Sequence, residues 1–120
     1  MTIRKGKQRP FDYDDIIVAT NDNIRRIVRD RIKNDKDANL NHIDVSKVTD
    51  MSYLFLNQPF NGIIDDWDVS NVANMTGMFM NSKFDGDLSK WDARKVKKHE
   101  CCFDGSPLEN QPDKQPKFIS

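Results

Sequence analysis

The chain has 120 residues, is 32% charged and 37% apolar, and carries no formal net charge. Its mean hydropathy is −0.77, and no apolar run approaches the length of a membrane span. One domain fits this length, and so polar a chain builds a core only if its few apolar residues are well placed.

Charge is segregated along the sequence. Residues 1–36 carry a net +4, residues 37–90 a net −5 and residues 91–120 a net +1. The only cysteines, Cys101 and Cys102, are neighbours. Neighbouring cysteines rarely bridge, so no disulfide framework is implied.

Residues 1–36 are read as an amino-terminal extension and a capping helix. The first ten residues include Arg4, Lys5, Lys7 and Arg9 but no apolar core follows them, unlike a secretory signal. As given, the chain is expected to be cytoplasmic. Residues 11–15 lead into Ile16-Ile17-Val18, which predicts a short strand joining the first repeat. Thr20 is placed as a helix N-cap, with Asp22 in the first turn to suit the helix dipole. Ile24, Ile27, Val28 and Ile32 then follow at helical spacing, which predicts an amphipathic helix over about residues 21–34. Arg25, Arg26, Arg29 and Arg31 fall largely away from its apolar face.

Residues 37–108 repeat. Ile43-Asp44-Val45-Ser46-Lys47-Val48 returns as Trp67-Asp68-Val69-Ser70-Asn71-Val72 and again as Trp91-Asp92-Ala93-Arg94-Lys95-Val96, at an offset of 24 both times. Such a fixed period predicts stacked coils. Aligned at 24, eight apolar columns appear: Leu40/Ile64/Leu88, Ile43/Trp67/Trp91, Val45/Val69/Ala93, Val48/Val72/Val96, Met51/Met75/His99, Leu54/Met78/Cys102, Phe55/Phe79/Phe103 and Phe60/Phe84/Leu108. The expected fold is α+β: a leucine-rich-repeat-like solenoid of about three 24-residue coils behind an amino-terminal capping helix. Gly62 and Gly86 are expected to supply positive φ in the turn before each strand, and residues 76–80 a short helical turn. Residues 109–120 hold Pro112, Pro116 and few apolar side chains, and are expected to form an extended or disordered tail or one wrapped over the last coil.

The string Trp67-Asp68-Val69-Ser70-Asn71-Val72-Ala73-Asn74-Met75-Thr76-Gly77-Met78-Phe79 resembles the repeat of BspA-like bacterial leucine-rich-repeat surface proteins, and the likeness extends over residues 38–105. The resemblance implies a non-catalytic scaffold used for adhesion or protein binding, and a cell-surface location if a signal has been removed. It carries over no catalytic residue. The short array and the separate amino-terminal helix suit a compact binder, of the kind a phage or mobile element encodes to inhibit a host protein.

Four constellations of residues are candidates for chemistry or binding. Asp44, Asp68 and Asp92 form a column that either binds a cation or, as favoured here, accepts hydrogen bonds at the turns. Outward positions Asp44, Asp65, Asp66, Asp68, Lys90 and Asp92, with Asn41, His42 and Ser89 among them, make a mainly acidic face that complements a basic partner protein. His99, Cys101 and Cys102 lack standard zinc spacing. The arginines Arg25, Arg26, Arg29 and Arg31, with Lys5, Lys7 and Arg9, offer an alternative role in binding nucleic acid, beside that of a nucleic-acid mimic. No phosphate loop, Ser-His-Asp set or paired-acid site stands out, so neither an enzyme nor a cofactor is expected.

Overall fold

The computed structural model describes residues 16–119, so the basic start with Lys5, Lys7 and Arg9, and the approach over residues 11–15, lie outside the described residues. Strand β1 (Ile17–Val18) precedes helix α1 (Ile24–Ile32), and strand β2 (Ile43–Asp44) follows. Two 3-10 turns, Pro107–Asn110 and Pro112–Lys114, come near the end. The strands pair in parallel, Ile17 with Ile43 and Val18 with Asp44.

Helix α1 starts later than its sequence suggests. Its N-cap is Asn23, not Thr20. The Asn23 Oδ1 atom instead accepts the Thr20 N–H at 2.8 Å, and the Thr20 carbonyl accepts the Ile24 N–H at 3.0 Å. A preliminary turn thus occupies the residues expected to open the helix. The buried face is the expected one, with Ile24, Ile27, Val28 and Ile32 inside.

The leucine-rich-repeat-like solenoid expected from the period is corrected by this structure. Among the described residues there is one α-helix and one two-stranded sheet, with two residues in each strand. Residues 67–69 and 91–93, which repeat the segment holding β2, form no strand. The parallel pairings of Asn39 with Ile63, Asp50 with Asn74 and Asn74 with Lys98 are isolated bridges. The physical reason lies in where the amides donate. Trp67 and Trp91 donate their amides within their own repeats, to the carbonyls of Ile64 and Leu88, each at 3.1 Å, whereas the first repeat receives a donating neighbour, β1, through the amides of Ile17 and Ala19.

The period nevertheless governs packing. Every residue of the eight columns is buried except His99, which is half-buried. Phe79 stacks on Phe55 at 5.4 Å and on Phe103 at 5.5 Å, while Trp67 stacks on Trp91 at 6.4 Å. The indole N–H of Trp67 donates to the Leu40 carbonyl at 2.8 Å, and that of Trp91 to the Ile64 carbonyl at 3.2 Å. Alternate amides of neighbouring segments also bond at fixed offset: Met51, Tyr53, Phe55 and Asn57 donate to the carbonyls of Asn74, Thr76, Met78 and Met80.

Positive φ also falls elsewhere than expected. Gly62 and Gly86 do not have it. It recurs at Tyr53, Gly77 and Cys101, and at Asn57, Asn81 and Gly105, two sets spaced by 24. Residues 76–80 are turn rather than helix. At the carboxyl end, the Leu88 amide donates to the Lys114 carbonyl at 2.7 Å, and Lys114 Nζ lies 3.2 Å from the Asp85 carboxylate. Phe118 stacks on His99 at 4.1 Å. Of the two alternatives for this segment, the described residues 109–119 take the second and wrap over the third repeat, with Pro116 buried there.

Candidate functional site

The acidic face is built by turns rather than by strands. In the first repeat the Asp44 Oδ1 atom accepts both the Ser46 amide at 3.0 Å and the Ser46 hydroxyl at 2.7 Å. Asp68 repeats the arrangement with Ser70, at 3.0 and 2.6 Å. In the third repeat Arg94 replaces serine, and its guanidinium clasps both Asp92 oxygens at 2.9 Å. The aspartate column therefore accepts turn donors in all three repeats.

These donors stabilise the charged form. The Ser46 hydroxyl and amide hold the Asp44 carboxyl below its usual value, and the Arg94 guanidinium does the same for Asp92. A carboxyl whose pKa is depressed by folding contributes stability above the unfolded value, about 3.9, and loses it as the pH falls through the folded value. Urea midpoints should thus hold steady down to about pH 5 and fall below it. Asp44→Asn combined with Asp92→Asn keeps a turn acceptor without a titrating group, and should flatten part of that acid limb. An acid limb identical to that of the parent chain would show that these two turns do not contribute to it.

Of the six expected contact residues, three converge. Asp44, Asp66 and Asp68 line one groove of about 470 Å³ together with Ile16, Asn41, His42, Ile43 and Val45. Asp65 lies outside that lining and accepts the Asn41 side-chain amide at 3.1 Å. Lys90 and Asp92 are also outside it. His42, expected to point outward, is buried at 9% exposure. Ile16 joins the groove at 54% exposure. Only tertiary pairing reveals its part, because nothing in its local sequence marks it as a neighbour of Asp66.

The four helix arginines separate as well. Arg25 donates to the Ser52 carbonyl at 2.6 Å and lies 3.7 Å from Asp50, so it ties α1 to the first repeat. Asn21 bonds the same region, accepting from the Thr49 amide at 2.9 Å. Arg26, Arg29 and Arg31 are exposed. Arg26 and Arg31 line a second groove, of about 450 Å³, with Ile17, Val18, Asn23, Ile27 and Asp30.

His99, Cys101 and Cys102 do not make a thiolate centre. Cys102 is buried, and burial pushes its thiol up to about 12. The thiolate that would bind a metal is therefore suppressed. Among the described residues no group of three or more His, Cys, Asp or Glu is placed to hold a metal ion. Nor, among them, is any helix long and apolar enough to cross a membrane.

Residues 22–118 match the model of a repeat family described as Mycoplasma protein of unknown function, DUF285. No curated protein and no solved structure matches the chain.

Proposed function

The chain belongs to the DUF285 family, and on that footing we propose that it is a non-catalytic interaction module that binds a basic surface of a partner protein. The observation that carries this reading is the meeting of Asp44, Asp66 and Asp68 on one groove beside the exposed Ile16. Turn hydrogen bonds fix two of those carboxylates, so little side-chain entropy is lost when a lysine or arginine enters. Asp65 lies alongside, while Lys90 and Asp92 extend the face toward the third repeat. The resemblance of the repeat to that of BspA-like surface proteins supports protein binding as the class of activity, and inhibition of a host protein is one form it takes.

The test is a pull-down followed by charge reversal. Asp65→Lys, Asp66→Lys and Asp68→Lys together should leave the melt nearly unchanged, apart from the turn bonds of Asp68. They should weaken capture of the basic partner at least tenfold at low salt, mainly by slowing association. Undiminished binding by the folded triple variant would exclude this face. The nucleic-acid alternative is favoured by the exposure of Arg26, Arg29 and Arg31. A salt-sensitive gel shift lost on reversing those three arginines would replace the first reading with this one.

A further inference from the structure

We propose that the end of the third repeat docks an extended, basic segment of a partner protein, which pairs with the amides of Cys101 and Phe103 where a further repeat would lie. This surface is separate from the groove of Asp44, Asp66 and Asp68, and the inference does not rest on that groove.

The backbone supplies the first argument. Each repeat donates a row of amides to the carbonyls of the next. Tyr53 and Phe55 donate to Thr76 at 2.9 Å and Met78 at 2.8 Å, and Gly77 and Phe79 to Glu100 at 2.9 Å and Cys102 at 2.8 Å. Cys101 and Phe103 come next in these rows, and among the described residues nothing accepts their amides. The neighbouring row shows what such an amide takes. Asn57 donates to Met80 and Asn81 to Asp104, but Gly105 donates to the Glu109 carboxylate at 3.1 Å. The opposite end of the stack is closed. The Thr49 carbonyl accepts the amides of Ala73 and Asn74, and the Ala73 carbonyl those of Lys97 and Lys98. Ahead of them the Asn21 Oδ1 atom takes the carbonyl's place, accepting the amides of Thr49 and Asp50 at 2.9 and 3.2 Å. Residues 1–15 join the chain at that closed end, where β1 meets the first repeat. At the third repeat Phe118 covers His99 and Glu109 takes Gly105, and the span between them is an edge that another backbone can join.

Charge and space decide the occupant. A groove of about 290 Å³ runs along this edge, lined by Cys101, Phe103, Asp104, Glu109 and Phe118 among others. Its lining holds two carboxylates and no lysine or arginine, so a basic segment complements it. The Thr76 hydroxyl lies 3.3 Å from the Glu100 carboxylate one repeat on. By the same offset, the residue whose carbonyl accepts the Cys101 amide comes beside Glu100, where a lysine finds a third carboxylate. Tyr53, Gly77 and Cys101 share a positive φ, so the next residue of the segment is best a glycine. Phe118 already fills the layer over His99, so the side chains turned inward must be small. A second copy of this chain does not fit. Its third repeat presents the same donors, and its other end is closed by Asn21.

Hydrogen exchange of the full chain tests this, with the end-blocked peptide Ala-Lys-Gly-Ala-Ala-Lys as the probe. In the free chain the amides of Cys101 and Phe103 should exchange at least about tenfold faster than the bonded amides of Gly77 and Phe79. The peptide at about 1 mM and low salt, a concentration suited to weak binding, should slow the first pair roughly threefold or more. The second pair should not change. A peptide with glutamate in place of both lysines should give no protection. Asp104→Lys should remove the protection given by the lysine peptide, whereas Asp66→Lys should leave it intact. The proposal is overturned if the Cys101 and Phe103 amides are already protected in the free chain, because the edge is then covered from within. It is equally overturned if the lysine peptide protects neither amide, if the glutamate peptide protects them as well, or if a folded Asp104→Lys chain is protected as the parent is. Protection lost in Asp66→Lys would assign the peptide to the acidic groove instead, and would also overturn it.

Discussion

Phe79→Ala is expected to cost roughly 3–5 kcal/mol, the range for deleting a large buried aromatic. Phe79 has no exposed surface, and its ring meets Phe84 at 5.0 Å, Phe55 at 5.4 Å, Phe103 at 5.5 Å and Trp91 at 6.4 Å. Removing it opens a cavity that the stacked rings above and below cannot both close. Small domains hold only about 5–15 kcal/mol in total, so the variant should be largely unfolded at moderate urea. Phe103 is the natural comparison. It stacks on Phe79 at one end of the row and is 6% exposed, so Phe103→Ala should cost less. Urea titrations of the two variants check the order. A loss below about 1 kcal/mol for Phe79→Ala would show that the row does not hold the fold together.

Gly62→Ala is expected to cost at least about 2 kcal/mol, for want of space rather than from backbone torsion. A Cβ at this position would lie 1.9 Å from the Ala38 carbonyl oxygen and 2.5 Å from the Phe60 ring. The carbonyl is not free to retreat, because it accepts the Ile63 amide at 3.0 Å. Flanking bonds from Asn61 to the Lys36 carbonyl and from Leu40 to the Ile63 carbonyl, each 2.8 Å, hold the same two segments together. The methyl group must therefore prise residues 36–40 away from residues 61–63. At Gly86, one repeat later, the added Cβ meets the Phe84 ring at 2.5 Å and no backbone atom among its nearest neighbours. A ring can shift by rotation where a hydrogen-bonded carbonyl cannot, so Gly86→Ala should be the milder change. Thermal melts compare them, and equal losses would mean that the Ala38 carbonyl yields.

The burial pattern was legible because it recurs. A residue that returns every 24 positions among apolar columns has the same surroundings each time, so Phe55, Phe79 and Phe103 could be placed inside together. The helix face was legible for the same reason at a shorter period. His99 shows the limit. It occupies the column of Met51 and Met75, but the third repeat is the last, and the carboxyl-terminal segment packs over it through Phe118. The Asp-x-Ser pairs at Asp44 and Asp68 also carried a readable signal, since aspartate followed two residues later by serine favours a side-chain-closed turn. That signal is compatible with the apolar alternation around it, since Asp44 closes the turn and also lies in β2.

The candidate surfaces were less legible. Sequence grouped six residues into one acidic face, whereas the structure gathers Asp44, Asp66 and Asp68 and leaves Asp65, Lys90 and Asp92 outside that groove. It also treated four arginines as one set, whereas Arg25 is bound to Ser52. Side chains on the solvent face have no packing period to constrain them, so their grouping depends on which distant segments meet.

By itself, then, the sequence determined the period of contacts, the side chains that fill the core and the apolar face of α1, because local spacing and repetition dictate which side chains share a side. The strand at Ile17–Val18 joining the first repeat was legible too, whereas tertiary structure alone decided its register on β2, the tie from Arg25 to the first repeat, the docking of Phe118 on His99 and the two charged grooves at the ends of β1. These contacts join segments that share no repeat with each other. Their register comes from backbone hydrogen bonds and shape at a distance, to which no local pattern of residues corresponds.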